Sequence, residues 1–178
     1  LAGTKLKVTV NDAGARAKIK ALADSTSNMQ PVFATVGSII RNRIRLCFKL
    51  GIDPWGSPWA ALKIRKGQPL RDTGRLQASI TSRPDSTGVT IGTNLQNNGV
   101  RYPAVHQFGA TIEPKTGKRL VFPGPGGKLI FAKKVTIPAR PFLPLTKAST
   151  VALPPDWSAA VTRALRAYFK KETEKVSA

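Results

Sequence analysis

Pro69-Leu-Arg-Asp-Thr-Gly-Arg-Leu-Gln-Ala-Ser-Ile80, Val89-Thr-Ile-Gly-Thr-Asn94 and Arg101-Tyr-Pro-Ala-Val-His-Gln-Phe-Gly109 form the stretch whose reading decides the fold. Thr73 is placed to cap a short helix, and Leu76 and Ile80, four apart, share a face of it. Val89 and Ile91 alternate with Thr90, as in a strand with one wet side. Tyr102, Val105 and Phe108 recur at helical spacing, and Gly109 stands where a left-handed stop is expected. A capped turn, a strand and a second turn so close together predict a dense structural centre over residues 69–109. Its core residues are then Leu76, Ile80, Ile91, Tyr102, His106 and Phe108.

Upstream, Leu6, Val8 and Val10 alternate with Lys5, Lys7 and Thr9, which predicts an opening strand. Asn11 or Asp12 then caps a helix from Ala13 to about Asp24. Asn28 is placed to cap a second helix, with Pro31 tolerated in the first turn. That helix carries Val32, Phe33, Val36, Ile39, Ile40, Ile44, Cys47 and Phe48 at steps of three and four, and Gly51 ends it. Arg41, Arg43, Arg45 and Lys49 fall on its outward face, near the end where cations suit the helix dipole. Between 51 and 68, Trp55 and Trp59 beside Pro54 and Pro58 read as a loop folded back on the core.

Downstream, Pro114 and Gly117 mark a turn, and residues 119–123 and 129–137 read as two strands joined by Pro123-Gly-Pro-Gly-Gly127. This hairpin gathers Lys115, Lys118, Arg119, Lys128, Lys133 and Lys134, more cations than any other element. The run Ile137-Pro-Ala-Arg-Pro-Phe-Leu-Pro144 cannot be helical, because each proline pushes its predecessor into the extended region. It is expected to cross the surface, anchored by Phe142 and Leu143. Pro154-Pro155-Asp156 opens a final helix bearing Trp157, Val161, Leu165 and Tyr168 or Phe169 on one stripe. The expected class is α+β: an antiparallel sheet with a long packed helix, a C-terminal helix and an extended basic hairpin. All of it reads as one domain over residues 1–178, long enough for a single core. Its parts are a strand-helix extension (1–27), a core (28–112), the basic hairpin (113–136), a proline-rich segment (137–156) and the last helix (157–178).

Composition narrows the function. There are 29 Lys and Arg against 9 Asp and Glu, a formal net charge of +20. Such an imbalance selects polyanionic or acidic partners. Residues 1–50 hold nine basic against two acidic groups and residues 101–150 nine against one, so the charge is spread over a folded body and not confined to a tail. One cysteine, Cys47, and one histidine, His106, rule out a disulfide framework, Cys- or His-based metal sites and the usual triads. His106 lies in an apolar turn with no carboxylate near it in sequence, and a structural or interface role is expected. Asp72 between Arg71 and Arg75 reads as a local ion pair or a helix-start carboxylate. Residues 124–127 lack the Gly-Lys-Ser/Thr ending of a phosphate loop, and no carboxylate pair is placed for acid-base work. No enzyme, cofactor or metal site is expected. No apolar run reaches the length of a membrane span, and a soluble, reducing compartment is expected. Without a sequence-reading module, any nucleic-acid contact should be with the phosphate backbone.

Read together, Trp59-x-x-Leu62, Pro69-Leu70-x-Asp72-Thr73-Gly74-x-Leu76-x-x-Ser79-Ile80, Val89-x-Ile91-Gly92-Thr93, Tyr102-x-x-x-His106-Gln107-Phe108-Gly109 and Ile137-Pro138-Ala139-Arg140-Pro141-Phe142-Leu143 resemble the tailed-phage virion morphogenesis family. The resemblance covers roughly residues 28–170. It implies a small α+β subunit of the virion neck or upper tail, a head–tail joining or tail completion protein of tail-terminator type. Such a subunit assembles into a homo-oligomeric ring, a hexamer, around the DNA channel. The implied partners are neighbouring neck and tail-tube proteins, with non-specific contact to genomic DNA and none to membrane. Its implied location is the virion, and the host cytoplasm during assembly. Lys115, Lys118, Arg119, Lys128, Lys133, Lys134, Arg140, Arg41 and Arg45 are then the candidate DNA or assembly contacts. The alternative is a free basic protein that binds nucleic acid non-specifically.

Overall fold

A computed structural model describes residues 20, 23–24, 28–63, 66–146 and 150–177. The expected opening strand and most of the 13–24 helix fall outside these residues. The chain is organised around helix α1, Gln30–Leu50. Its start departs by one residue from the expected cap: Met29 is the N-cap and makes no side-chain cap hydrogen bond, while Asn28 Oδ1, just before it, accepts from the Gln30 N–H at 3.3 Å and Pro31 sits in the first turn. Its end is Gly51, whose N–H donates to the Cys47 carbonyl at 2.8 Å. The buried stripe is Val32, Val36, Gly37, Ile40, Ile44, Cys47 and Phe48. Gly37 lets the helix approach the first β-ribbon, since a Cβ there would lie 2.8 Å from Val89 Cγ2 and 3.1 Å from Ser82 Cβ.

Antiparallel pairing is distributed over three two-stranded ribbons. Strands β1 (Thr81–Pro84) and β2 (Val89–Gly92) lie against α1. They follow a one-turn helix α2, Arg75–Ala78, which buries Leu76 and delivers Ile80 to the core. Helix α3, Tyr102–Phe108, leads into β3 (Ala110–Ile112). Next come β4 (Leu120–Pro123), a 3-10 turn at Pro125–Gly127, β5 (Leu129–Ala132) and β6 (Val135–Ile137). Helix α4, Pro155–Ser177, packs on α1 through Trp157, Val161 and Leu165.

The core is built on α1, with residues 69–109 supplying walls to it and not the centre expected from their density. Phe48 meets the Trp59 ring edge-on at 5.3 Å and the Phe142 ring at 5.4 Å. Phe48, Ile44, Ile80 and Phe142 are almost wholly enclosed, and each such side chain contributes about 1.5–3 kcal/mol by leaving water. Only one of the two loop tryptophans folds back. Trp59 is buried and donates its indole N–H to the Pro141 carbonyl at 2.7 Å, whereas Trp55 stays 45% exposed. Asp53 explains the difference: its Oδ1 accepts from the Trp55 and Ser57 N–H groups at 2.8 and 2.9 Å, a side-chain-closed turn that holds Trp55 outward. Cys47 is enclosed beside this turn, and burial, followed by the charge of Asp53, pushes its thiol up to about 11. It is an inert core thiol.

The 129–137 run is not one strand. It breaks at Lys133 and Lys134, where β5 ends its pairing with β4 and β6 begins a separate pairing with β3. The 137–144 run is non-helical, as its prolines require, but it does not cross the surface. Arg140, Phe142 and Pro144 are buried, and the segment passes under α3 into the core.

Candidate assembly surface

Two neighbouring parts of the chain carry seven of the nine sequence-predicted contact residues, and the structure treats them in opposite ways. The first is the 137–144 segment. Gln107, 4% exposed, acts as a clamp: its Nε2 donates to the Leu143 carbonyl at 3.0 Å, and its Oε1 accepts from the Phe142 and Leu143 N–H groups, each at 3.0 Å. Arg140, 6% exposed, is turned inward. Its Nε donates to the Ala60 carbonyl at 2.7 Å and its Nη2 to the Ala61 carbonyl at 3.1 Å, while its own N–H donates to the His106 carbonyl at 2.7 Å. Arg140 therefore ties the 60–61 loop to α3 and is not a surface cation, which corrects its assignment as a DNA or assembly contact.

Helix α3 is rotated from its expected orientation. The stripe Tyr102, Val105, Phe108 was expected to face inward, but the buried pair is Pro103 and Gln107, one turn apart. Phe108 is 45% exposed and is not a core residue. Tyr102 is partly buried and packs on the core, with the His106 ring edge-on to it at 6.1 Å. Burial, and after it the positive charge of Arg140, holds the His106 imidazole below its ordinary value of 6.5, so it is neutral at pH 7. Its Nδ1 is enclosed with no hydrogen-bond partner among the described residues. Gly109 does not form the left-handed stop: its φ of +75° comes with ψ 165°. Glycine is needed there because a Cβ would lie 2.9 Å from the Ala139 nitrogen and 3.0 Å from the Ile137 carbonyl oxygen.

The second part is the arm, residues 110–137. Its outer ribbon pairs Ala110 with Ile137 and Ile112 with Val135, and its inner ribbon pairs Leu120 with Ala132 and Pro123 with Leu129. Strands β4 and β5 pack mainly on each other, and none of the described side chains of 110–137 belongs to the core cluster. Alternation along the strands separates two faces. Leu120, Phe122, Ile130 and Ala132 are half-buried, while Val121, Leu129 and Phe131 are 54, 60 and 58% exposed. Val121 and Phe131 lie directly opposite one another, so these side chains form one patch. Lys115, Lys118, Arg119, Lys128, Lys133 and Lys134 are all exposed on the same arm, with Glu113 the one acidic residue of 113–134. The sequence showed the charge of the arm; the exposed apolar face on the same arm was not read from it, although the alternation of 120–123 and 129–132 carried the signal.

On α1, Arg41 is half-buried with its Nε enclosed and without a hydrogen-bond partner among the described residues. Arg45 is exposed and joins Lys49 and Arg71 along a shallow cleft of about 470 Å³. Arg71 is a member that sequence spacing did not point to. Leu76, Ile80 and Ile91 lie in or against the core. Among the described residues, no three of His, Cys, Asp and Glu gather as a metal site, and no helix is long and apolar enough to cross a membrane.

Residues 10–153 match the phage virion morphogenesis family. The chain is 35% identical over 128 residues to Mu-like prophage FluMu G protein 2 of Haemophilus influenzae, an alignment that spans 72% of this chain and 75% of that protein. No solved structure matches. With an α+β fold and most of its length inside the match, the chain belongs to the phage virion morphogenesis family.

Proposed function

We propose that this chain is a non-enzymatic ring subunit of the virion neck or upper tail, a head–tail joining or tail completion protein. In this reading it assembles as a hexamer around the DNA channel, between neighbouring neck and tail-tube proteins. The observation that carries the proposal is the arm: a paired ribbon outside the core, with an exposed apolar face and six exposed cations. A subunit whose work is to join other subunits needs such a projecting surface, and the fold does not need it for its own core. The arm also offers unpaired strand edges to a neighbour.

The test removes the arm without opening the fold. Ile112 and Val135 are paired, so replacing 113–134 by an Asn-Gly turn closes β3 and β6 into a short hairpin. The shortened chain should fold with the same core and fail to support joining of heads to tails in a complementation assay. Infectious particles at the wild-type yield would refute the proposal. A second reading, a free nucleic-acid-binding protein, draws on the net charge and on the Arg45, Lys49 and Arg71 cleft. It requires tight DNA binding by the isolated monomer with a steep salt dependence. A ring subunit instead binds DNA weakly as a monomer and gains on oligomerisation.

A further inference from the structure

A second exposed apolar surface lies on the body, away from the arm in sequence. Leu46, Leu50 and Trp55 are 49, 57 and 45% exposed. They line a groove of about 300 Å³ between the end of α1, the 52–56 loop and the start of α4. Among the described residues that line it, the groove has Asp53 and Asp156, and their one cation, Arg43, is paired with Asp156. In a chain of +20 the described lining of this apolar surface is net acidic, while in the cleft beside it the charged residues, Arg45, Lys49 and Arg71, are all basic.

The geometry points to this groove as the seat for the arm of a second copy of this chain. Val121, Leu129 and Phe131 would cover Leu46, Leu50 and Trp55, and the cations beside them, Lys128 above all, would face Asp53 and Asp156. Each side supplies what the other lacks: an exposed apolar face on a cation-rich arm, and a concave apolar face whose described lining is net negative. DNA fits the arm face poorly, because phosphates give Val121, Leu129 and Phe131 nothing to exclude water with. Two arms face to face would set six cations against six. Arm and groove are different surfaces, so the contact is heterologous. A heterologous contact closes into a ring when the rotation between copies permits. The inference rests on the proposed ring and specifies which surfaces join in it.

Sedimentation of the full chain tests it, with Phe131→Asp on the arm and Leu50→Asp in the groove. Both positions are more than half exposed, so each variant should keep the wild-type far-UV spectrum; Leu129→Asp is the second arm variant if the first loses its ribbon. Each substitution alone should weaken self-association by roughly tenfold or more. Mixed together, the two variants should form a 1:1 dimer that goes no further, because one intact arm meets one intact groove. Oligomers that survive either substitution unchanged would overturn the arm–groove contact and leave the ring reading standing. A wild-type chain that stays monomeric up to about millimolar concentration would remove the ring reading as well.

Discussion

The 137–144 segment and residues 113–134 of the arm look alike as sequence: both are rich in proline or glycine, both carry cations, and neither reads as helical. In the folded chain one is enclosed and the other projects. Phe142 is 1% exposed and Phe131 58%; Arg140 is 6% exposed, while Lys128, Lys133 and Lys134 are open to water. The difference lies in the backbone. Residues 140–143 have their polar groups answered by Gln107, His106 and Trp59. Once those groups are satisfied, burial costs little, and the aromatic side chain decides the outcome. The inner ribbon of the arm answers its own backbone groups strand to strand and is therefore free to stand away from the body. Positive charge alone marks neither a contact surface nor a structural tie.

Phe142→Ala should break this contrast most severely. It empties the centre of the core, with an expected loss of about 3–5 kcal/mol, measured by urea denaturation. Arg140→Ala should follow at about 2–3 kcal/mol, because the Ala60 and Ala61 carbonyls lose a charged donor in an enclosed setting. Arg140→Lys should recover less than half of that, since a single ammonium cannot reproduce the fork to two carbonyls. Both would be read as shifts of the same urea midpoint.

His106 sharpens the contrast through pH. Its imidazole is held below 6.5 in the folded chain, so in the window just under 6.5 the unfolded chain binds a proton and the folded chain does not. Stability from this group is complete above 6.5 and falls on acidification below it. The difference between wild type and His106→Gln in urea midpoint should therefore change between roughly pH 7.5 and pH 5, with the variant showing the flatter profile. The smallest effect belongs to the arm: Lys128→Ala and Lys133→Ala should each leave stability within about 0.5 kcal/mol, while the same changes weaken assembly.

The parts legible in the sequence were those whose determinants are local. Asn28, Pro31 and Gly51 bracket α1 within a residue or two of its observed ends, and the alternation of Val89 and Ile91 marks β2. The family was legible too, because its motifs are short blocks of the same kind. What could not be read depends on partners far along the chain. Gln107 meets Leu143, 36 residues on, and Arg140 meets Ala60, 80 residues back. From the sequence alone, Gln107 is a polar residue on a short helix and Arg140 a cation between prolines. The break at Lys133 and Lys134 is of the same type, since it follows from β6 pairing with a strand that begins at Ala110.

Hydrogen exchange, followed peptide by peptide on the free chain and on assembled particles, tests most directly whether the arm is free for partners while the clasped segment belongs to the core. Amides of 140–143 should be protected to the level of α1 in both states. Amides of 120–132 should exchange quickly in the free chain through opening of the isolated ribbon, and become protected on assembly. Core-level protection of 120–132 in the free chain, or no gain in protection on assembly, would contradict the account.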